Sequence, residues 1–134
     1  MKTIKAGILT ILMMGAFLTC GAQTNDKVNG KLEVYYSHFN KRCATCNAVE
    51  NETKALLEKL YGSQMEKGEI TFKSLNLDEK ADKKFAKKLN ISGQALMLIK
   101  GAKQINLTSE GFLNARNNPE KFHKVLKKNI DDLI

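Results

Sequence analysis

Three cysteines, Cys20, Cys43 and Cys46, and one proline, Pro119, are all that the 134-residue chain contains of either type. With no second closely spaced cysteine pair beside Cys43 and Cys46, four-thiolate zinc sites and scaffolds stapled by several bridges are excluded. Only the Asn118–Pro119 peptide has the low cis penalty of an X-Pro bond; any other cis peptide would cost about 2.5 to 4 kcal/mol. No internal repeat or low-complexity tract is present, which excludes repeat arrays. No flavin or nicotinamide motif is evident, so no cofactor is expected. The one long apolar run, Ala6 to Leu18, falls short of the roughly 20 residues a membrane-spanning helix needs.

That run has its own meaning. Lys2 and Lys5 precede it and the small residues Thr19, Cys20, Gly21 and Ala22 follow, the layout of an export signal. Residues 1–22 are therefore expected to be removed, leaving a protein that begins at Gln23 and works in the periplasm or outside the cell. A second route is lipidation: Phe17-Leu18-Thr19-Cys20 loosely resembles a lipobox, in which Cys20 would carry a lipid and be the only link to a membrane. Thr19 is larger than the residue usual at that place, which favours the soluble product. Residues 23–31 are polar, contain Asn29-Gly30, and are expected to be a flexible lead-in.

The formal charge is +8, and +6 once Lys2 and Lys5 are discounted. Lysines alternate with acids along helical spacings such as Glu50-x3-Lys54-x3-Glu58, so the charge is expected to form a solvated face, open to acidic partners but not to nucleic acid.

From residue 32 onward, periodicity predicts a single domain, 32–134. Leu32 to Tyr36 alternates as a strand, with a polar loop from Ser37 to Arg42. From Ala44 the apolar stripe Cys46, Val49, Leu56, Leu57 and Leu60, with Thr53 on the same line, predicts a helix to Gly62-Ser63 or one turn further. Ile70 to Leu77 is a second strand. A short helix to Leu89 buries Phe85, Ala86 and Leu89, with Asp78 or Asp82 as cap. Ala95 to Ile99 is apolar on successive residues, as in a strand covered on both faces, and Gly101-Ala102 turns it into a hairpin with Lys103 to Thr108. Glu110 to Ala115 carries one helical turn. Asn118 and Pro119 open a last helix with Phe122, Val125, Leu126, Ile130 and Leu133 on one face. The order is β-α-β, a linking helix, then β-β-α. With a right-handed crossover this gives an α/β fold: a mixed four-stranded sheet with helices on both faces.

Cys43-Ala44-Thr45-Cys46 stands where the first strand hands over to the first helix, beyond the carboxyl end of the strand, where such folds bind ligands. A bridge across two intervening residues restrains little of the unfolded chain, so the spacing points to redox exchange rather than a staple. Cys43, at the helix entrance beside Lys41 and Arg42, has the local positive field that favours a thiolate and is expected to attack; Cys46, on the inward stripe, is expected to resolve. A different chemistry stays open. His38-x4-Cys43-x2-Cys46 offers three donors suited to copper(I) or another soft metal. So does a third reading, a partner-binding module without catalysis.

The strand, the Cys-x-x-Cys helix and the order of elements after them resemble the thioredoxin-like superfamily over nearly all of Leu32 to Ile134. The run from Tyr35 to Glu50, with Arg42-Cys43-Ala44-Thr45-Cys46-Asn47, is similar to exported bacterial thioredoxin-like proteins, some of them labelled a nitrophenyl-compound nitroreductase subunit. The resemblance implies exchange with protein thiols or disulfides, including a membrane or periplasmic redox partner. It also implies a cis-proline that faces the dithiol, helps hold substrate and helps keep metal ions off. Matching Gly93 and the strand after it puts Ala95 in that position, behind Gln94. Gln94 and Ala95 are thus the expected substrate-binding residues, joined by a trans peptide.

Overall fold

The computed structural model describes residues 30–134. The leader, both of its processing routes at Cys20 and Ala22, and nearly all of the lead-in lie outside the described residues.

Four strands and four helices follow in the order β1 (Leu32–His38), α1 (Ala44–Glu66), β2 (Ile70–Asn76), α2 (Lys80–Lys88), β3 (Ala95–Lys100), β4 (Lys103–Asn106), α3 (Thr108–Asn114) and α4 (Pro119–Asp131). The sheet order is β2-β1-β3-β4. The long α1 crossover makes β1 and β2 parallel, with Leu32 opposite Ile70 and His38 opposite Asn76. β3 runs antiparallel to β1, with Ser37 opposite Ala95, and pairs with β4 as a hairpin. Gly101 closes that hairpin at φ 58°, a conformation costly for a residue with a Cβ.

The two faces of the sheet divide the core. Val34, Tyr36, Leu96 and Leu98 point toward Val49 and Leu57 of α1 and Phe122, Leu126 and Ile130 of α4. Tyr35, Met97 and Ile99 point the other way, with Leu75, Ala86 and the partly buried Phe85 of α2. β3 is buried from Ala95 to Ile99, as its uninterrupted apolar run predicts. α3 closes against α1 at Gly111, where an added Cβ would stand 3.0 Å from a Val49 methyl.

Four expectations are corrected. β1 runs two residues further than Tyr36, because Ser37 and His38 continue the ladder against Leu75 and Asn76. α1 takes the longer of its two expected ends, Glu66, but its stripe is interrupted by a kink at Tyr61 (φ −127°, ψ 18°). Leu60 is 42 % exposed there, and Tyr61 turns inward instead, its hydroxyl donating to Asp131 at 2.6 Å. Neither aspartate caps α2, whose N-cap is Glu79 with no side-chain bond. Asp78 accepts from the Asn40 N–H at 2.7 Å and Asp82 from the Asn76 N–H at 2.9 Å, so both tie loops to the end of the sheet. The weakly patterned stretch after β4 is a two-turn helix, α3. The start of α4 is as expected: the Asn118 side chain accepts from the Lys121 N–H, and Pro119 occupies the first turn, where its missing N–H costs nothing.

Candidate functional site

β1 ends at His38, and Phe39 to Arg42 carry the chain from the sheet to α1. This connection is held from the neighbouring β2–α2 loop. The Leu77 N–H donates to the His38 carbonyl at 2.7 Å, Asn76 donates through its side chain to Asn40 at 2.7 Å, and Asp78 holds the Asn40 N–H. The loop therefore delivers Cys43 to a defined place, the N-cap of α1, with extended backbone (φ −88°, ψ 166°).

There the two cysteines are bonded to each other, their Cα atoms 5.1 Å apart. Their surroundings differ sharply. Cys43 is exposed, and its Sγ accepts from the Cys46 N–H at 3.2 Å, one of the unpaired donors of the first helical turn. Cys46 is 3 % exposed, one place along the stripe that continues through Val49 and Thr53. A thiol at a helix N-terminus is shifted toward thiolate by the aligned peptide dipoles and free N–H groups; a buried one is not.

Gln94 and Ala95 come to the same place from β3. The Gln94 side-chain amide reaches Cys46 Sγ, with Nε2 at 3.6 Å and Oε1 at 3.9 Å. Among the described residues there is no cis peptide, so Gln94–Ala95 is trans. What holds this segment is Ser37, which was expected in a loop and is instead fully buried on β1; its hydroxyl donates to the Gly93 carbonyl at 2.6 Å. An open groove of about 450 Å³ runs from Gln94 and Ala95 to Asn106 and Thr108.

His38 is not drawn to the cysteines as a third donor. Its Nδ1 lies 3.0 Å from the Phe39 carbonyl and its ring stacks on Tyr36, and no group of three His, Cys, Asp or Glu side chains among the described residues is arranged to hold a metal ion. The other histidine, His123 of α4, lies 2.8 Å from Glu52 of α1. Tyr35 and Tyr36 are packed, not poised to donate protons: burial, with Glu33 adding to it, pushes Tyr35 up to about 12, and burial also raises Tyr36.

Two residues of the site went unnoticed in the sequence. Ser37 could have been found by extending the β1 alternation by one residue. Glu50 could have been found on the helical stripe, four residues after Cys46, although its charge made it look like part of the solvated face. It is 5 % exposed and grips both Arg42 and Lys54, the latter at 2.7 Å. Burial alone would raise its pKa, but the hydrogen bonds and charges of Lys54 and Arg42 outweigh it and hold the carboxyl below its usual range.

The architecture matches known structures. This is a thioredoxin-like fold. The germline-specific thioredoxin Deadhead of Drosophila melanogaster superposes with a TM-score of 0.50 at 15% identity, over 80% of this chain and 85% of that one. Fasciola hepatica thioredoxin gives a TM-score of 0.48 at 17% identity, over 75% and 83% of the two chains. A structure described as a malarial protein gives 0.46 at 20% identity, over 71% and 97%. No protein-family model and no curated protein matches the chain.

Proposed function

We propose that the protein is a thiol-disulfide exchange protein in which Cys43 attacks and Cys46 resolves. The observation that carries this reading is the inequality of the two sulfurs: Cys43 is exposed on the N-cap of α1 and Cys46 is buried one turn in. In the reducing direction the Cys43 thiolate attacks one sulfur of a partner disulfide. A Cys43–partner bond forms, the partner S–S bond breaks, and the departing partner thiolate takes up a proton. Cys46 then gives up its proton and attacks Cys43 Sγ. The Cys43–Cys46 bond forms, the second partner thiolate leaves, and the partner has gained the two electrons that the dithiol lost. The oxidising direction is the same sequence reversed, starting from the bonded state seen here.

Protein disulfides suit the groove beside Gln94 and Ala95, whose open, mostly polar walls can take an extended segment. In this reading Gln94 and Ala95 flank the substrate in place of the proline usual in the fold, and no cofactor is needed. The export-signal layout of residues 1–22 supports a periplasmic or extracellular protein that works with redox partners there, in a compartment where disulfides persist. The mass of the mature chain tests this: a product starting at Gln23 supports soluble export, a lipid adduct on Cys20 supports anchoring, and an intact leader refutes export.

The test of exchange itself is Cys46→Ser, which cannot resolve. Mixed disulfides through Cys43 are expected to accumulate in cells, and the wild type is expected to catalyse reduction of insulin disulfides. No trapped partner and no turnover, with tight stoichiometric copper(I) binding instead, would overturn the proposal in favour of a soft-metal site at Cys43 and Cys46; neither activity would leave a binding module.

A further inference from the structure

Glu50 is the only charged residue among the described residues that is buried. It stands one helical turn beyond Cys46, on the same side of α1. One carboxylate oxygen accepts from Arg42, the residue immediately before Cys43, and the other from Lys54. The guanidinium of Arg42 is itself largely covered and lies 5.7 Å from the centre of the Tyr36 ring. Its Nε is buried without a partner, as is the Tyr36 hydroxyl. The charge of Arg42 is thus paired with Glu50, and its guanidinium is packed near the Tyr36 ring rather than free in solvent.

The chemistry of Cys43 makes this arrangement matter. A guanidinium beside a sulfur stabilises the thiolate, which makes the thiol more reactive and a better leaving group, and the dithiol more oxidising. A guanidinium neutralised by a carboxylate does neither. We propose that Glu50 is a positioning residue that sets the reactivity of Cys43 by sequestering Arg42. On this view the helix N-terminus supplies the activation of Cys43, and the adjacent arginine is withheld from it. The inference rests on the exchange reading for its biological meaning, but its readout is the ionisation of one thiol and requires no turnover.

The other ionisable groups around this cluster are Lys41 next to Cys43, His38 and Tyr36 on β1, and Lys54 on α1. All are kept in the comparison, so only the Arg42–Glu50 pair changes. In the reduced full-length protein, Cys43 is alkylated with iodoacetamide across a pH series and the modified residue is identified by mass spectrometry. In E50Q, the midpoint for Cys43 is expected to fall by about one unit, the low end of what a nearby opposite charge produces. E50D is expected to return it toward the wild-type value. In an R42M background, E50Q is expected to leave the midpoint unmoved.

An unshifted midpoint in E50Q would overturn the proposal, and so would the same fall in the R42M background, since Arg42 would then not be the intermediary. Should E50Q fail to fold, the double variant R42M/E50Q, which buries neither charge, decides. Its Cys43 midpoint is expected to equal the wild-type one; a midpoint raised by about half a unit or more would mean that Arg42 already acts on Cys43 in the native protein, contrary to the proposal. Failure of insulin reduction with the predicted midpoints intact would sink the exchange reading and leave this one standing.

Discussion

Reducing the Cys43–Cys46 bond should change the stability of the fold little, and the structure indicates how little. The bond spans a sequence separation of only 3. For a closed loop of about four residues, the chain-entropy relation gives about 6 cal/mol/K, or about 2 kcal/mol at 25 °C, as the most the bridge can contribute by restraining the unfolded chain. Part of that is returned on reduction. The Cys46 N–H already points at Cys43 Sγ from 3.2 Å, and it becomes a charge-assisted donor once the sulfur is a thiolate. The helix N-terminus adds about 0.3 to 1 kcal/mol for a negative charge at its first turn. The oxidised protein is therefore expected to exceed the reduced one by roughly 0 to 2 kcal/mol. Urea unfolding of both forms at neutral pH measures this directly, provided the two m-values agree. The difference also reports the potential, since about 1.4 kcal/mol corresponds to 30 mV for this two-electron couple. A loss on reduction above about 3 kcal/mol would refute the reasoning and make the bridge a structural staple.

Ser37→Ala removes the hydroxyl that holds the Gly93 carbonyl and with it the Gln94 amide against Cys46. It is expected to cost about 1 kcal/mol, or about 4 to 8 °C in Tm for a domain of about 100 residues, and to speed alkylation of Cys46 in the reduced protein; an unchanged Tm and unchanged Cys46 labelling would count against that role. Glu50 gives a pH signature. Its folded pKa lies below the unfolded value, so its contribution is complete above the unfolded carboxyl pKa and is lost as pH falls through the folded one. Glu50→Gln is expected to destabilise by about 1 to 3 kcal/mol at neutral pH, less than for a fully buried pair because Lys54 and part of Arg42 reach solvent, and the gap to wild type should narrow below about pH 4.3. Urea midpoints of both proteins at neutral and acid pH check this; a gap independent of pH would show that the charge of Glu50 is not what stabilises the fold.

Where the chain's local pattern agrees with its tertiary environment, the fold was legible beforehand. Ala95 to Ile99 could only be a strand covered on both sides, and Asn118-Pro119 could only open a helix. The Cys46-Val49-Thr53-Leu57 stripe placed one cysteine inward and the other at the helix entrance, which is the asymmetry observed. Expectations failed where a residue's partner lies far along the chain. Ser37 looked like loop because its partner is 56 residues away at Gly93. Asp78 and Asp82 looked like helix caps because capping is local, whereas they hold Asn40 and Asn76. Leu60 fitted the stripe, but periodicity assumes an unbroken helix and α1 kinks at Tyr61.

The sequence by itself determined that there is one closely spaced dithiol, that it sits between a strand and a helix, and that no proline precedes the third strand. These follow from residue identity and from periods of two and 3.6, which a single chain displays without reference to anything else. Only the tertiary structure decided that Gln94 touches Cys46, that Ser37 holds it there, and that Arg42 pairs with a buried Glu50. Those contacts depend on how β1, β3 and α1 meet. Whether a charged side chain faces solvent or a buried carboxylate is a property of that meeting, not of its spacing in the chain.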